Sequence, residues 1–142
     1  MGKVILSEMA EITPRFSEVD SMGIVWHGNY LKYFEDGREA FGAKYNLGYL
    51  DVFNQGFVTP LVKINCDYKK ILKYGDKATI KVTYIDSDAA KIIFKYLILK
   101  GDTNEIVATG ESVQVFLNDK GVLHLTIPPF FAAWKKKWGI TK

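Results

Sequence analysis

The sequence predicts an α+β fold in which an antiparallel sheet of about five strands wraps around one long helix. Three observations predict it. The apolar positions Tyr30, Phe34, Gly37, Phe41 and Tyr45 recur at spacings of three and four, which keeps them on one helical face. Residues 62–68 and 79–84 alternate apolar and polar with a period of two. The connections Asp86 to Ala90 and Gly101 to Glu105 have hairpin length, which makes the strands on either side antiparallel neighbours.

A chain of 142 residues with 48% hydrophobic content has the material for one core, so residues 1–142 are expected to form a single domain. A first strand is expected over Ile5 to Phe16, bent near Pro14. The helix follows from about Tyr30 to Tyr45, with Asn29 as its N-cap and Asn46 or Gly48 closing it. Val62, Ile64, Cys66 and Tyr68 then mark a half-buried strand, and Ile80, Val82 and Tyr84 mark another. The segment Ile92 to Leu99 is apolar at nearly every position, and a last strand runs from about Ile106 to Phe116. Phe131, Trp134 and Trp138 recur at helical spacing beside a lysine run, as a short capping helix requires; membrane-surface contact ranks below that reading. A sheet covers one side of a helix only, and the apolar Ile92 to Leu99 strand predicts that its outer face or edge is buried too, by oligomerisation.

Charge and cysteine usage exclude several classes. With 19 basic and 16 acidic residues interspersed, the net charge of +3 argues against nucleic acid and suits an anionic small ligand. Cys66 is the sole cysteine, so no intrachain disulfide forms, and two histidines with one cysteine make no Cys/His metal cluster; no metal or redox cofactor is expected. No run of 18 apolar residues and no signal-peptide pattern is present, so a cytoplasmic location is expected.

The stretch Asp20-Ser21-Met22-Gly23-Ile24-Val25-Trp26-His27-Gly28-Asn29-Tyr30 carries the chemistry. It places a carboxylate, a glycine turn and a histidine directly before the helix, whose first-turn amides lack partners and whose positive dipole end favours negative charge. The amides near His27, Gly28 and Asn29 are therefore a candidate oxyanion hole, with Asp20 as base or nucleophile. Taken alone, Asp20 reads better as a turn aspartate bonding its own backbone; its position ahead of a helix N-terminus is what favours catalysis.

This stretch, continued by Leu31-Lys32-Tyr33-Phe34-Glu35, resembles the signature of hotdog-fold acyl-CoA thioesterases, in the 4-hydroxybenzoyl-CoA thioesterase and Tol-Pal-associated thioesterase group. The likeness extends to Asp67-Tyr68-Lys69-Lys70 with Tyr74-Gly75-Asp76, and to Asp119-Lys120-Gly121 leading to Pro128. It implies that Asp20 is the catalytic carboxylate, that the His27 amide polarises the thioester carbonyl, and that the His27 side chain matches a histidine of the Tol-Pal-associated branch. It also implies a homodimer with the site at the subunit interface, often doubled to a homotetramer. One position departs: that branch often has tyrosine four residues before the aspartate, where this chain has Phe16.

The remaining candidates divide between substrate contact and packing. Trp26, Tyr30 and Phe34 could wall an acyl pocket, although aromatics at helical spacing usually form core. Lys69 and Lys70 could meet the phosphates of coenzyme A, against the default of solvated lysines. Glu35 is a minor candidate for holding water, and Arg38 reads as its solvent-side ion-pair partner. Cys66 falls on the apolar side of its strand, away from any histidine in sequence, and reads as a small hydrophobe; His124 receives no role. The expected activity is hydrolysis of an acyl thioester of coenzyme A or of a carrier protein. The rivals are a hydratase or dehydratase pairing His27 with an acid such as Glu35, and a non-catalytic acyl-ligand-binding protein.

Overall fold

The structure, a computed structural model, describes residues 4–141. Five strands form one antiparallel sheet in the order β1-β4-β5-β6-β3. They are β1 (Ser7–Ile12), β3 (Leu61–Tyr68), β4 (Ala78–Ile85), β5 (Lys91–Lys100) and β6 (Glu105–Val115). Helix α1 (Asn29–Tyr45) lies against one face of this sheet. A short helix α2 (Tyr49–Phe53), a two-strand ribbon of β2 (Phe57–Val58) and β7 (Leu117–Asn118), and a C-terminal helix α3 (Pro129–Lys137) complete the fold.

The α1 face named by spacing is the buried one: Tyr30, Phe34, Gly37, Phe41 and Tyr45 are all inaccessible, and Asn46 closes the helix in the left-handed conformation (φ 57°). Full burial of side chains such as Phe34 and Phe41 stabilises by about 1.5–3 kcal/mol each. Two glycines let helix and sheet meet. A Cβ on Gly37 would lie 2.4 Å from Val82, and one on Gly110 would lie 2.5 Å from both the Phe34 ring and the Asn65 carbonyl oxygen.

Strands β4 and β5 alternate strictly, with Ile80, Val82, Tyr84, Ile92, Phe94, Tyr96 and Ile98 buried beneath the helix. The outer face, carrying Ile93, Lys95, Leu97 and Leu99, is half-buried to exposed. Strand β3 departs from its expected half-burial. It is an edge strand with one free side, so Leu61, Val62 and Tyr68 are 40%, 60% and 49% exposed.

The first strand is shorter than Ile5 to Phe16, because after Ile12 the chain turns at Pro14 into a 3-10 turn, Phe16–Glu18. The C-terminal helix caps the far end of the core as expected. Phe131 and Trp134 are buried, and the Trp134 indole N–H donates to the Tyr45 carbonyl at 2.7 Å. Among the described residues, no helix is long and apolar enough to cross a membrane.

Candidate active site

The loop before α1 is a narrow hairpin. Val19 bridges Val25, the Asp20 amide donates to the Ile24 carbonyl at 2.8 Å, and the Trp26 amide donates to the Glu18 carbonyl at 2.9 Å. Gly23 makes the turn at φ 74°, a conformation open to glycine. A second contact ties the hairpin to the segment after β3: Ile24 bridges Lys73, and the Val25 amide donates to the Leu72 carbonyl at 2.8 Å.

Asp20 is half-buried at the start of this hairpin. Its Oδ1 accepts the amides of Met22 (2.8 Å) and Ile24 (3.3 Å), which is the turn role the residue type permits. No donor engages Oδ2 among the described residues. The carboxylate is thus held by one oxygen and open at the other.

Further along the same loop, two successive peptide groups are locked. The Trp26 carbonyl accepts the Asn29 amide at 2.9 Å, and the His27 carbonyl accepts both the Tyr30 amide (3.3 Å) and the Tyr68 hydroxyl (2.8 Å). In a trans peptide the N–H points opposite to the C=O. Fixing these carbonyls therefore aims the His27 and Gly28 N–H groups away from the helix, and neither has a partner among the described residues.

The expected trio of amides becomes a pair, since the Asn29 amide is spent on Trp26. Nor does Asn29 cap the helix. Gly28 occupies the N-cap position, and the Asn29 Nδ2 instead donates to the Glu18 carbonyl at 2.8 Å, whose position beside the helix start offers a closer acceptor.

The aromatic residues sort by exposure. Trp26 is 52% exposed and lies across Gly28, where a Cβ would come within 2.0 Å of its ring; the exposed His27 ring sits 4.7 Å from the indole. Tyr68 contributes its ring as well as its hydroxyl, edge-on to Tyr30 at 4.9 Å. Tyr30 is buried and burial pushes its phenol up. Phe34 is wholly buried and stacks on Tyr96 at 4.3 Å, so in the single chain it is core and walls no open pocket.

Lys69 and Lys70 are exposed where the chain leaves β3, both amides donate to the Val107 carbonyl, and the Lys70 ammonium lies 3.7 Å from Glu105. Cys66 is half-buried, and burial pushes its thiol up, which keeps it protonated and a poor nucleophile. Glu35 is exposed. Arg38 does not pair with it: the guanidinium turns inward and donates to the Tyr96 hydroxyl at 2.9 Å.

Glu18 is the residue that sequence reasoning missed. It is 5% exposed, and its carboxylate accepts the Arg15 amide (2.8 Å), the Tyr33 hydroxyl (3.1 Å) and the Lys32 ammonium (3.1 Å). Burial pushes this carboxyl up, but the Arg15 amide, Lys32 and Tyr33 together outweigh it and hold it below the usual range. Its carboxylate and its carbonyl both reach the first turn of α1, so Glu18 joins the hairpin to the helix. A glutamate between Ser17 and Val19 looks solvated in sequence, and the one available signal is the Tyr33 and Lys32 pair fifteen and fourteen residues on.

Comparison with known proteins shows the family and the fold. Residues 14–135 match the family model of the Thioesterase-like superfamily. A Bacillus subtilis protein named "Putative acyl-CoA thioesterase YneP" is 40% identical over 86 residues, which is 61% of this chain and 62% of that protein, so the match spans less than two thirds of the relative. Among solved structures, a DHNA-CoA thioesterase from Staphylococcus aureus superposes with a TM-score of 0.82 at 26% identity, over 93% of this chain and 88% of that one. A mutant 4-hydroxybenzoyl-CoA thioesterase complexed with 4-hydroxybenzoyl-CoA superposes with a TM-score of 0.78 at 20% identity, over 91% and 98%, and shares the fold. The helix wrapped by a five-stranded antiparallel sheet is the hotdog fold, and the chain belongs to the Thioesterase-like superfamily.

Proposed function

We propose that this protein hydrolyses acyl-CoA thioesters to a free acid and coenzyme A. The observation that carries the reading is that one locked loop holds both a carboxylate whose Oδ2 has no donor and two unpartnered amides, among the described residues. The amides of His27 and Gly28 bind the carbonyl oxygen as it gains negative charge. Asp20 takes a proton from water, the hydroxide adds to the carbonyl carbon, the C–S bond breaks, and the thiolate leaves and is protonated from solvent or from His27. Direct attack by Asp20 gives the same products. That attack expels the thiolate and forms a mixed anhydride, which water opens; in a single turnover in ¹⁸O-water, label in the Asp20 carboxylate marks this route when water adds at the Asp20 carbonyl, and trapping of the acyl-enzyme by hydroxylamine marks it when water adds at the acyl carbon.

The free edge of β3 supports a homodimer. Antiparallel self-pairing of Leu61–Tyr68 about a twofold axis sets Leu61 of one protomer opposite Tyr68 of the other, covers the exposed Val62, and brings the partner's β3 start beside the His27 loop. Sedimentation of the purified chain as a 16.1 kDa monomer would remove this part of the reading.

The test is thiol release from aromatic, short-chain and long-chain acyl-CoAs by the wild type and Asp20→Asn. A loss on the order of 10²- to 10⁴-fold in kcat is expected, with substrate binding retained. A wild type active on a substrate and indifferent to Asp20→Asn refutes the mechanism, and activity on none refutes the reading. One relative, from Arabidopsis thaliana, is named an acyl-acyl carrier protein thioesterase, which makes carrier-bound acyl groups the second substrate to try.

A further inference from the structure

A cavity of about 480 Å³ lies between α1, α2 and the start of β3, away from the Asp20 hairpin in the same chain. Its lining is largely apolar, with Val52, Val58, Ile92, Phe94 and Leu117, and one cation, Arg38, reaches it from α1. Arg38 is half-buried and makes no ion pair among the described residues, although Glu35 and Glu39 stand exposed on the same groove.

The guanidinium is held by a tyrosine that also packs in the core, where its ring stacks on Phe34. One of its N–H groups donates to the Tyr96 hydroxyl at 2.9 Å, and its carbon sits 5.8 Å above the Tyr96 ring. A phenol oxygen that accepts from a cation keeps its own proton for donation, and the Tyr96 hydroxyl is in hydrogen-bond contact with Ser112. Tyr96 is 3% exposed and Ser112 is wholly buried. Burying two hydroxyls is costly unless both are paired, so the relay fixes the Arg38 head in one orientation. Four of its five N–H donors remain available. The other polar wall of the groove is committed, since the Gln114 Nε2 donates to the Thr59 carbonyl at 2.8 Å.

We propose that this groove receives the distal part of the acyl group and that Arg38, oriented by Tyr96 and Ser112, selects acyl groups bearing a hydrogen-bond-accepting oxygen, hydroxyl or carboxylate, at their far end. The inference rests on the thioesterase reading. It also uses the β3 pairing described above, which sets the groove edge at Thr59 and Pro60 beside the His27 loop of the other protomer.

The experiment compares matched acyl-CoAs with and without the distal oxygen: hexanoyl with 6-hydroxyhexanoyl and adipoyl, and benzoyl with 4-hydroxybenzoyl. Each is assayed for thiol release by the wild type, Arg38→Met and Tyr96→Phe, and each is titrated calorimetrically into Asp20→Asn with and without Arg38→Met. A hydrogen bond to a charged group predicts that the oxygenated member of at least one pair is favoured by about 10-fold to 100-fold in kcat/KM, chiefly through KM. Arg38→Met should abolish that preference while leaving the plain member within about threefold, and Tyr96→Phe should weaken it in part. Hydrolysis with no Arg38-dependent preference in any pair overturns the inference and leaves the thioesterase reading standing. If no thioester is hydrolysed, that reading fails, and the calorimetric preference alone decides whether Arg38 reads the distal oxygen. Should Arg38→Met not fold, Arg38→Lys and Tyr96→Phe carry the same comparison.

Discussion

Glu18→Ala should be among the most destabilising single changes near the site, and the structure fixes why. The substitution strands the Tyr33 hydroxyl, a donor on a residue only 2% exposed, at a cost of about 1–3 kcal/mol. Emptying the space of the carboxyethyl group adds on the order of 1 kcal/mol. The Lys32 pair adds little, because the Lys32 side chain is 54% exposed and solvent screens it to well under about 1 kcal/mol. The total is roughly 2–4 kcal/mol, or a fall in Tm of roughly 6–15 °C.

Urea denaturation in a double-mutant cycle isolates the largest contribution. In a Tyr33→Phe background no hydroxyl is left to strand, so Glu18→Ala should cost about 1–2 kcal/mol less than in the wild type. Equal costs in the two backgrounds, or a wild-type cost below about 1 kcal/mol, would refute the argument. Acid provides a second check on the same group. The Glu18 carboxyl lies below its ordinary value of 4.5 in the folded protein, so its stabilisation is complete above that value and is lost as pH falls through the folded one. Glu18→Gln, which cannot ionise, should flatten the stability profile in that window.

Two further outcomes follow from the same geometry. Gly28→Ala places a Cβ within 2.0 Å of the half-exposed Trp26 ring at a backbone conformation alanine accepts (φ −65°), so the indole must swing outward. Thiol release should fall while Tm moves by only a few degrees, and an unchanged Trp fluorescence spectrum with full activity would show that the indole is not held there. At the other end of the core, the Lys135 ammonium is 4% exposed, bonded to Asp86 (2.8 Å) and the Ser87 carbonyl (2.7 Å), whereas the Asp86 side chain is 40% exposed. Asp86→Ala strands a buried cation and should cost about 2–4 kcal/mol in urea denaturation, more than Lys135→Met, which releases a carboxylate that water can reach. Burial pushes the Asp86 carboxyl up, but Lys135, Tyr84 and the Ser87 amide outweigh it, so this stabilisation too is lost as pH falls through a value below 3.8.

The parts of the fold that were legible are those where one residue pattern has one physical cause. Tyr30 to Tyr45 had to bury a stripe, and β4 and β5 had to bury alternate side chains; both did. Helix α2 and the β2-β7 ribbon were invisible because five and two residues are too few to express a period. Arg38 was misread because local spacing offered Glu35 three residues away, while its actual partner, Tyr96, stands 58 residues on in β5. Tyr68 could be placed on a strand face from its alternation, but nothing local shows that its hydroxyl reaches the His27 carbonyl across 41 residues.

The loop itself shows how a short motif and distant residues divide the work. Asp20, Gly23 and Gly28 are dictated locally, by a turn bonded to its own carboxylate and by space for Trp26. What that local grammar leaves open is the rotation of the 27–28 peptide, and with it the aim of the Gly28 amide. The Tyr30 amide and the Tyr68 hydroxyl set it, one from α1 and one from the free edge of β3. The strand proposed to pair with a second protomer is therefore the one that orients the amide proposed to bind the oxyanion. Under the proposed dimer, pairing of β3 would immobilise Tyr68, a donor 49% exposed in the single chain, and so couple assembly to the aim of the 27–28 peptide. Tyr68→Phe should on this argument lower kcat with little change in KM or in the dimer, whereas a Tyr68 that merely packs would tolerate loss of its hydroxyl.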